Sequence, residues 1–211
     1  MNIAILGTGN VGAVLGTHWA GAGHRVVFGS RDPLAARVQE MICRVNPAMC
    51  AEPHHVSVQN ADVVVLALPW QEAQGVLEKL GDLRGRVLID CTNPLKPDLS
   101  GLETDYGHSA AEQIARWALN ARVVKAFNTA GTKVMKDPQF GDQKATMFYC
   151  GDDAEAKAVV HQLVAEVGFD PVDAGPLTSA RYLEPLAMLY IHLAFKQGWG
   201  SNCAFKIMKR S

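Results

Sequence analysis

The chain has 211 residues, 48% hydrophobic and 19% charged, with a formal net charge of -1. That length fits one large domain, or a core with a small appendage, and buries about 70% of the unfolded surface without a disulfide or metal staple. The near-neutral balance argues against nucleic acid or an anionic membrane as the main partner. Five scattered cysteines with no CxxC pair or zinc-type spacing predict buried, reduced thiols and no metal site. The start at Met1-Asn2-Ile3 lacks the basic segment and cleavage pattern of a signal peptide, which predicts a cytoplasmic protein. The longest strongly apolar stretch, 186–195, contains His192 and is about half the length of a membrane span.

Apolar runs of strand length occupy 3–6, 25–28, 63–68, 87–89, 123–127 and 145–150, with a further candidate at 170–173. Between them helical patterns cover 11–22, 34–45, 71–80, 109–119 and 154–167. Near-continuous Val/Ile/Leu runs are what strands buried on both faces look like. The alternation therefore predicts an α/β, Rossmann-type, doubly wound and largely parallel sheet covered by helices. Asp32 before Pro33 reads as a helix N-cap followed by proline at the first helical position, and Asp152 or Asp153 caps the helix after it. A last helix over 180–196 carries two apolar strips, one through Leu183, Leu186, Ala187, Tyr190, Leu193 and Ala194, the other through Met188, Ile191 and Phe195. Pro185 kinks this helix or marks its start. The division expected is a nucleotide-binding domain over 1–177 and a small helical appendage over 178–211, part of the same compact unit. The second strip faces either the core or another subunit.

Gly7-Thr8-Gly9-Asn10-Val11-Gly12 follows the first strand and opens the first helix. In that context a GxGxxG sequence is the dinucleotide fingerprint: a tight turn, a close backbone approach to a pyrophosphate, and a helix N-terminus facing the anion. Where an acidic residue would bind the ribose hydroxyls of NAD, the second strand ends in Gly29-Ser30-Arg31. A hydroxyl beside a planar guanidinium suits a 2′-phosphate, so the expected cofactor is NADP(H) rather than NAD(H).

Ligands in open α/β sheets bind outside the carboxyl ends of the strands. Leu68-Pro69-Trp70, Asn93-Pro94 and Ala126-Phe127-Asn128 all fall at such ends. Pro69 and Trp70 stand beside the nicotinamide, or Trp70 caps the core. Asn93 offers both amide donors and an acceptor to a carboxamide, or forms an Asn-Pro turn. Phe127 is a core ring or, with Asn128, borders the nicotinamide. No tyrosine precedes a lysine by four residues, and no Ser/His/Asp arrangement is evident, so no catalytic acid–base residue is assigned. Hydride transfer between two ring systems depends on alignment more than on a general acid, which favours that chemistry.

The segments Gly7 to Gly12, Gly29-Ser30-Arg31, Leu68-Pro69-Trp70, Asn93-Pro94, Lys125-Ala126-Phe127-Asn128, Arg181 to Met188 and Ala204-Phe205-Lys206 resemble, in order and spacing, the NADPH-dependent coenzyme F420 reductase family. The cytosolic domain of the STEAP ferric reductases looks like a more distant relative. The resemblance implies a homodimeric enzyme in which NADPH lies across the strand ends and a planar acceptor, coenzyme F420 or a flavin, stacks on the nicotinamide. It implies nucleotide contacts at Thr8, Gly9, Asn10, Val11, Ser30 and Arg31, and nicotinamide-side contacts near Leu68, Pro69, Asn93, Ala126 and Asn128. The competing readings are a flavin or ferric reductase, an imine or pyrroline-carboxylate reductase, and a non-catalytic NADPH-sensing module. The roughly 35 residues after Thr178 are too few for the long helical dimerisation domain of imine reductases.

Overall fold

In the computed structural model, which describes residues 1–46, 49–104 and 107–210, the period-two alternation of each apolar run decides which sheet face a side chain covers. In β1 (Asn2–Leu6), Ile3 and Ile5 join Leu15 and Trp19 of α1 (Asn10–Gly21) on one face, while Ala4 and Leu6 join the opposite core layer. Both faces are therefore sealed, and the strand shows no polar–apolar alternation.

The chain continues through β2 (Arg25–Ser30), α2 (Ala36–Val45), β3 (Cys50–Pro53), the single turn α3 (His54–Ser57), β4 (Val63–Leu66), α4 (Trp70–Leu80) and β5 (Val87–Asp90). Then come α5 (Ala110–Trp117), β6 (Arg122–Ala126), α6 (Thr132–Lys136), the hairpin β7 (Gln139–Phe140) and β8 (Gln143–Lys144), β9 (Thr146–Gly151), α7 (Ala154–Val167) and β10 (Asp170–Asp173). A 3-10 turn (Leu177–Ser179) leads into α8 (Ala180–Ile191), which ends in a π-helical turn (His192–Lys196).

Among the described residues, eight strands form one sheet in the order β10-β9-β6-β5-β4-β1-β2-β3. Every neighbouring pair is parallel except β6 with β9. The run β3-β2-β1-β4-β5-β6 is the doubly wound nucleotide-binding order, with its reversal between β1 and β4. That reversal opens a crevice beyond the carboxyl ends of these two strands. The fold is Rossmann-type α/β with a helical carboxyl end. Among the described residues no helix is long and apolar enough to cross a membrane.

Several local expectations need correction. Asp32 does not cap α2: its carbonyl accepts the Ala35 N–H in a turn, and the helix begins at Ala36. Asp153 does cap α7, accepting the Ala156 N–H at 2.7 Å. Pro185 lies inside α8, which starts five residues before it. Of the cysteines only Cys150 is buried; Cys43 and Cys50 are exposed and Cys91 and Cys203 half-covered. β3, α3 and α6 went unpredicted because each is a few residues long and carries no apolar period. The second strip of α8 is split: Ile191 is 9% exposed within a small cluster with Tyr190 and Ala194, whereas Phe195 is 63% exposed.

Candidate functional site: the strand-end crevice and its two cavities

The first turn of α1 supplies the anion-binding end of the crevice. Gly9 occupies its N-cap in an extended conformation, and no side chain bonds the amides of the first turn. These N–H groups, at the positive end of the helix dipole, are left for a ligand. Space forces the fingerprint glycines. A methyl on Gly7, whose φ is +118°, would lie 2.3 Å from the Ala67 carbonyl oxygen, and one on Gly12 would lie 2.5 Å from the Gly7 oxygen. At Gly9 a Cβ would meet nothing within 4 Å, so the backbone there is open to close approach.

Gly9, Asn10, Val11, Leu68 and Pro69 line a groove of about 340 Å³ together with Ala67, Cys91 and Thr132. Five predicted contacts thus converge, and Thr132 joins them from α6, an element the sequence did not reveal. Burial pushes the Cys91 thiol well above the usual range, reinforced by the Asp90 carboxylate and opposed by Lys125. It is therefore a neutral wall of the groove and not a nucleophile.

At the end of β2, Ser30 and Arg31 line a cavity of about 430 Å³ with Pro53, His54, Gln71, Glu72 and Lys79. The Ser30 hydroxyl accepts the Asp32 N–H at 3.2 Å. Arg31 is exposed and reaches Glu72 at 3.5 Å, a long surface pair that holds it only weakly.

The nicotinamide-side residues sort differently from expectation. Asn93 and Asn128 clasp each other: Asn93 Nδ2 donates to the Asn128 carbonyl at 2.9 Å, and Asn128 Nδ2 donates to Asn93 Oδ1 at 3.1 Å and to the Leu183 carbonyl at 3.0 Å. Asn128 Oδ1 is buried without a partner. Ala126 is fully buried among core residues and cannot present its side chain to a ligand. Phe127 is likewise core, edge-on to Trp19 at 5.8 Å and to Phe169 at 6.5 Å. Its φ of +63° is left-handed, a strain of roughly 1–3 kcal/mol that persists because the packed ring holds it. Trp70 turns to Trp117, 5.2 Å away, and caps the α4–α5 side of the core instead of the groove.

Beneath this rim lies a fully buried charge cluster. Lys125 Nζ contacts Asp90 Oδ2 at 2.8 Å, Glu184 Oε1 at 3.0 Å and the Thr92 carbonyl at 2.9 Å. Burial opposes the ammonium, but the Asp90 and Glu184 carboxylates outweigh it and hold Lys125 above the ordinary lysine value. The other Asp90 oxygen accepts the Thr92 N–H and hydroxyl, both at 2.8 Å. Glu184 also accepts the Ala110 and Ala111 N–H groups at the start of α5. Beside it Arg181 grips Glu112 with two nitrogens, at 2.6 and 2.9 Å, and holds that carboxyl down to about 2. A lysine inside an apolar strand was the sequence's sign that carboxylates must meet it; the identity of Glu184 had no such sign.

The sequence profile of the family described as NADP oxidoreductase coenzyme F420-dependent matches residues 2–94. A crystal structure from Arthrobacter sp. FB24, described provisionally as an F420-dependent NADP reductase, superposes with a TM-score of 0.89 at 33% identity, covering 99% of this chain and 100% of that one. The rat metalloreductase STEAP3 is 30% identical over 191 residues, covering 89% of this chain but only 37% of that protein. An imine reductase from Streptomyces aurantiacus, at 16% identity and a TM-score of 0.69, covers 94% of this chain and 64% of its own and shares the fold. The F420-dependent NADP reductase of Methanothermobacter marburgensis is 30% identical over 210 residues, 93% of each chain. With the crevice, the fingerprint turn and this near full-length match in agreement, the chain belongs to the F420-dependent NADP oxidoreductase family.

Proposed function

We propose that the protein binds NADPH across the strand ends and transfers its hydride to a planar ring acceptor, coenzyme F420 in the first instance. The observation that carries this reading is the pairing of an open helix N-terminus, free of side-chain caps, with a separate Ser30–Arg31 cavity, one suited to a pyrophosphate and the other to a 2′-phosphate. The residues fit the nucleotide: Gly9 leaves room for it, and Gly7 and Gly12 shape the turn beneath it.

Bound NADPH would supply the hydride, and the protein's part is alignment. Amides of Asn10 and Val11 hold the pyrophosphate. Ser30 and Arg31 grip the phosphorylated ribose. Leu68, Pro69 and Thr132 form the apolar wall of the groove and exclude water from it. The Asn93–Asn128 clasp fixes the opposite strand ends, with Asn128 Oδ1 buried and unpartnered beneath it.

Transfer of deuterium from the labelled nicotinamide carbon tests this directly. A deazaflavin keeps a transferred label on carbon, whereas a flavin loses it from nitrogen to solvent. Label in reduced F420 is the expected result. No label in F420, with rapid reduction of flavins or ferric chelates, would overturn the acceptor and favour the flavin or ferric reductase reading, which the STEAP3 similarity supports. Nucleotide binding with no turnover on any acceptor would favour a sensing module.

The reading extends to a homodimer. Tyr182, Leu189, Phe195 and Trp199, all exposed on α8 and the segment after it, are the apolar groups a second copy would cover. Sedimentation should give twice the 22.8 kDa chain mass at micromolar concentration; a monomer there would remove the dimer.

A further inference from the structure

The cavity at the end of β2 contains a residue that the Ser30–Arg31 pairing does not account for. His54 opens α3, the single turn after β3, and lines the cavity beside Arg31. Its Nδ1 is buried and has no hydrogen-bond partner. The ring is wedged against the end of β2, where a methyl on Gly29 would lie 2.9 Å from His54 Nδ1, 2.8 Å from Ser57 Oγ and 2.7 Å from Leu6 Cδ2. A side chain at position 29 would thus have to displace this imidazole and its neighbours.

A buried nitrogen without a partner is an expensive place for a proton. An orphaned N–H is rarer in proteins than an under-satisfied acceptor, so Nδ1 carries the lone pair and the proton sits on Nε2. A second proton would have to go to the sealed Nδ1. Burial first, and then the Arg31 guanidinium, push the imidazole below its ordinary value, against the pull of Glu72. The ring is accordingly neutral at physiological pH, with one N–H, fixed in position, on a residue that borders the cavity holding Ser30, Arg31 and Lys79.

We propose that His54 is a specificity-determining residue, whose Nε2–H donates a hydrogen bond to the phosphomonoester on the ribose of the nucleotide that Ser30 and Arg31 grip. The donor differs in kind from Arg31. Arg31 is exposed and must leave Glu72 to reach a ligand, whereas the imidazole is already locked by packing and loses little freedom on binding. This rests on the NADPH reading of the cavity.

The test exploits the two ring nitrogens. A glutamine amide nitrogen reaches the place of Nε2, an asparagine amide nitrogen that of Nδ1, and phenylalanine keeps the ring without either. Binding of NADPH and NADH to His54→Gln, His54→Asn, His54→Phe and Arg31→Ala is measured by titration, with NADH affinity showing that each variant is folded. The expected result is an NADPH-to-NADH affinity ratio lowered about tenfold in His54→Phe and His54→Asn and restored to within about threefold by His54→Gln. A ratio unchanged in His54→Phe, including equal weakening of both nucleotides, overturns the proposal and makes His54 a packing residue. Loss in all three His54 variants alike also overturns it, because position, not the Nε2 donor, would then matter. If Arg31→Ala moves the ratio and His54→Phe does not, only the His54 assignment fails. If neither moves it, the NADPH reading of the cavity fails as well.

Discussion

Replacing Lys125 by methionine should destabilise the fold by about 3–5 kcal/mol, the scale for removing one partner from a buried ion pair. Asp90 and Glu184 are 0% and 1% exposed, and each would lose the cation that compensates it. Methionine nearly matches the lysine stem in volume, so a lost cavity contact does not explain the effect. For a chain of this size the melting temperature should fall on the order of 10 °C. Urea and thermal unfolding measure it directly. Adding Glu184→Gln to Lys125→Met should recover part of the loss, because one buried charge is then removed while the carboxamide oxygen keeps one of the two α5 amide contacts. A loss below about 1 kcal/mol would mean that the cluster is hydrated and carries little of the fold.

The second large effect should fall on binding. Arg31→Ala should weaken NADPH by about 1.5–3 kcal/mol, the range for a hydrogen bond to a charged group, and lower the NADPH-to-NADH affinity ratio by a similar factor. The pair that Arg31 gives up on binding is long and exposed, and pairs of that kind are worth about 0–1 kcal/mol. The phosphate contact therefore dominates the exchange. Because the guanidinium is solvent-facing, the discrimination should shrink as salt is raised from low to physiological strength. Titration of both nucleotides at two ionic strengths is the measurement, and equal loss for NADPH and NADH would contradict the role given to Arg31.

The sheet was legible because strands buried on both faces leave continuous runs, as at Val63 to Leu66 and Val87 to Ile89, and the fingerprint turn was legible because Gly7 and Gly12 answer to steric demands while Gly9 leaves its backbone open. The side chains at the strand ends were harder. From the sequence Ala126, Phe127 and Trp70 were as eligible for the rim as Asn93, yet two of them are core residues and Trp70 is drawn away by Trp117. Position at a strand end does not say which way a side chain turns. Thr132 escaped notice and His54 passed for a structural or solvated histidine, because both lie on single helical turns too short to leave a period. The Asp90–Lys125–Glu184 cluster went unread, although charges inside the apolar runs of β5 and β6 are a sign that partners must meet them, and the third member came from a helix distant in sequence.

That third member has a consequence for how the chain is made. Synthesis proceeds from the amino end at about 5–20 residues per second, and domains begin to organise as they emerge. Strands β5 and β6 can associate as soon as Lys125 is available, with Asp90 as its partner. The amides of Ala110 and Ala111 and the outer side of the Lys125 ammonium must then wait for Glu184, which is translated well after β6. During those seconds the nascent sheet has an unfinished polar seam that water must fill. Closure of that seam by α8 therefore follows the pairing of β5 with β6, and a chain cut off before Glu184 would keep its charge cluster wet.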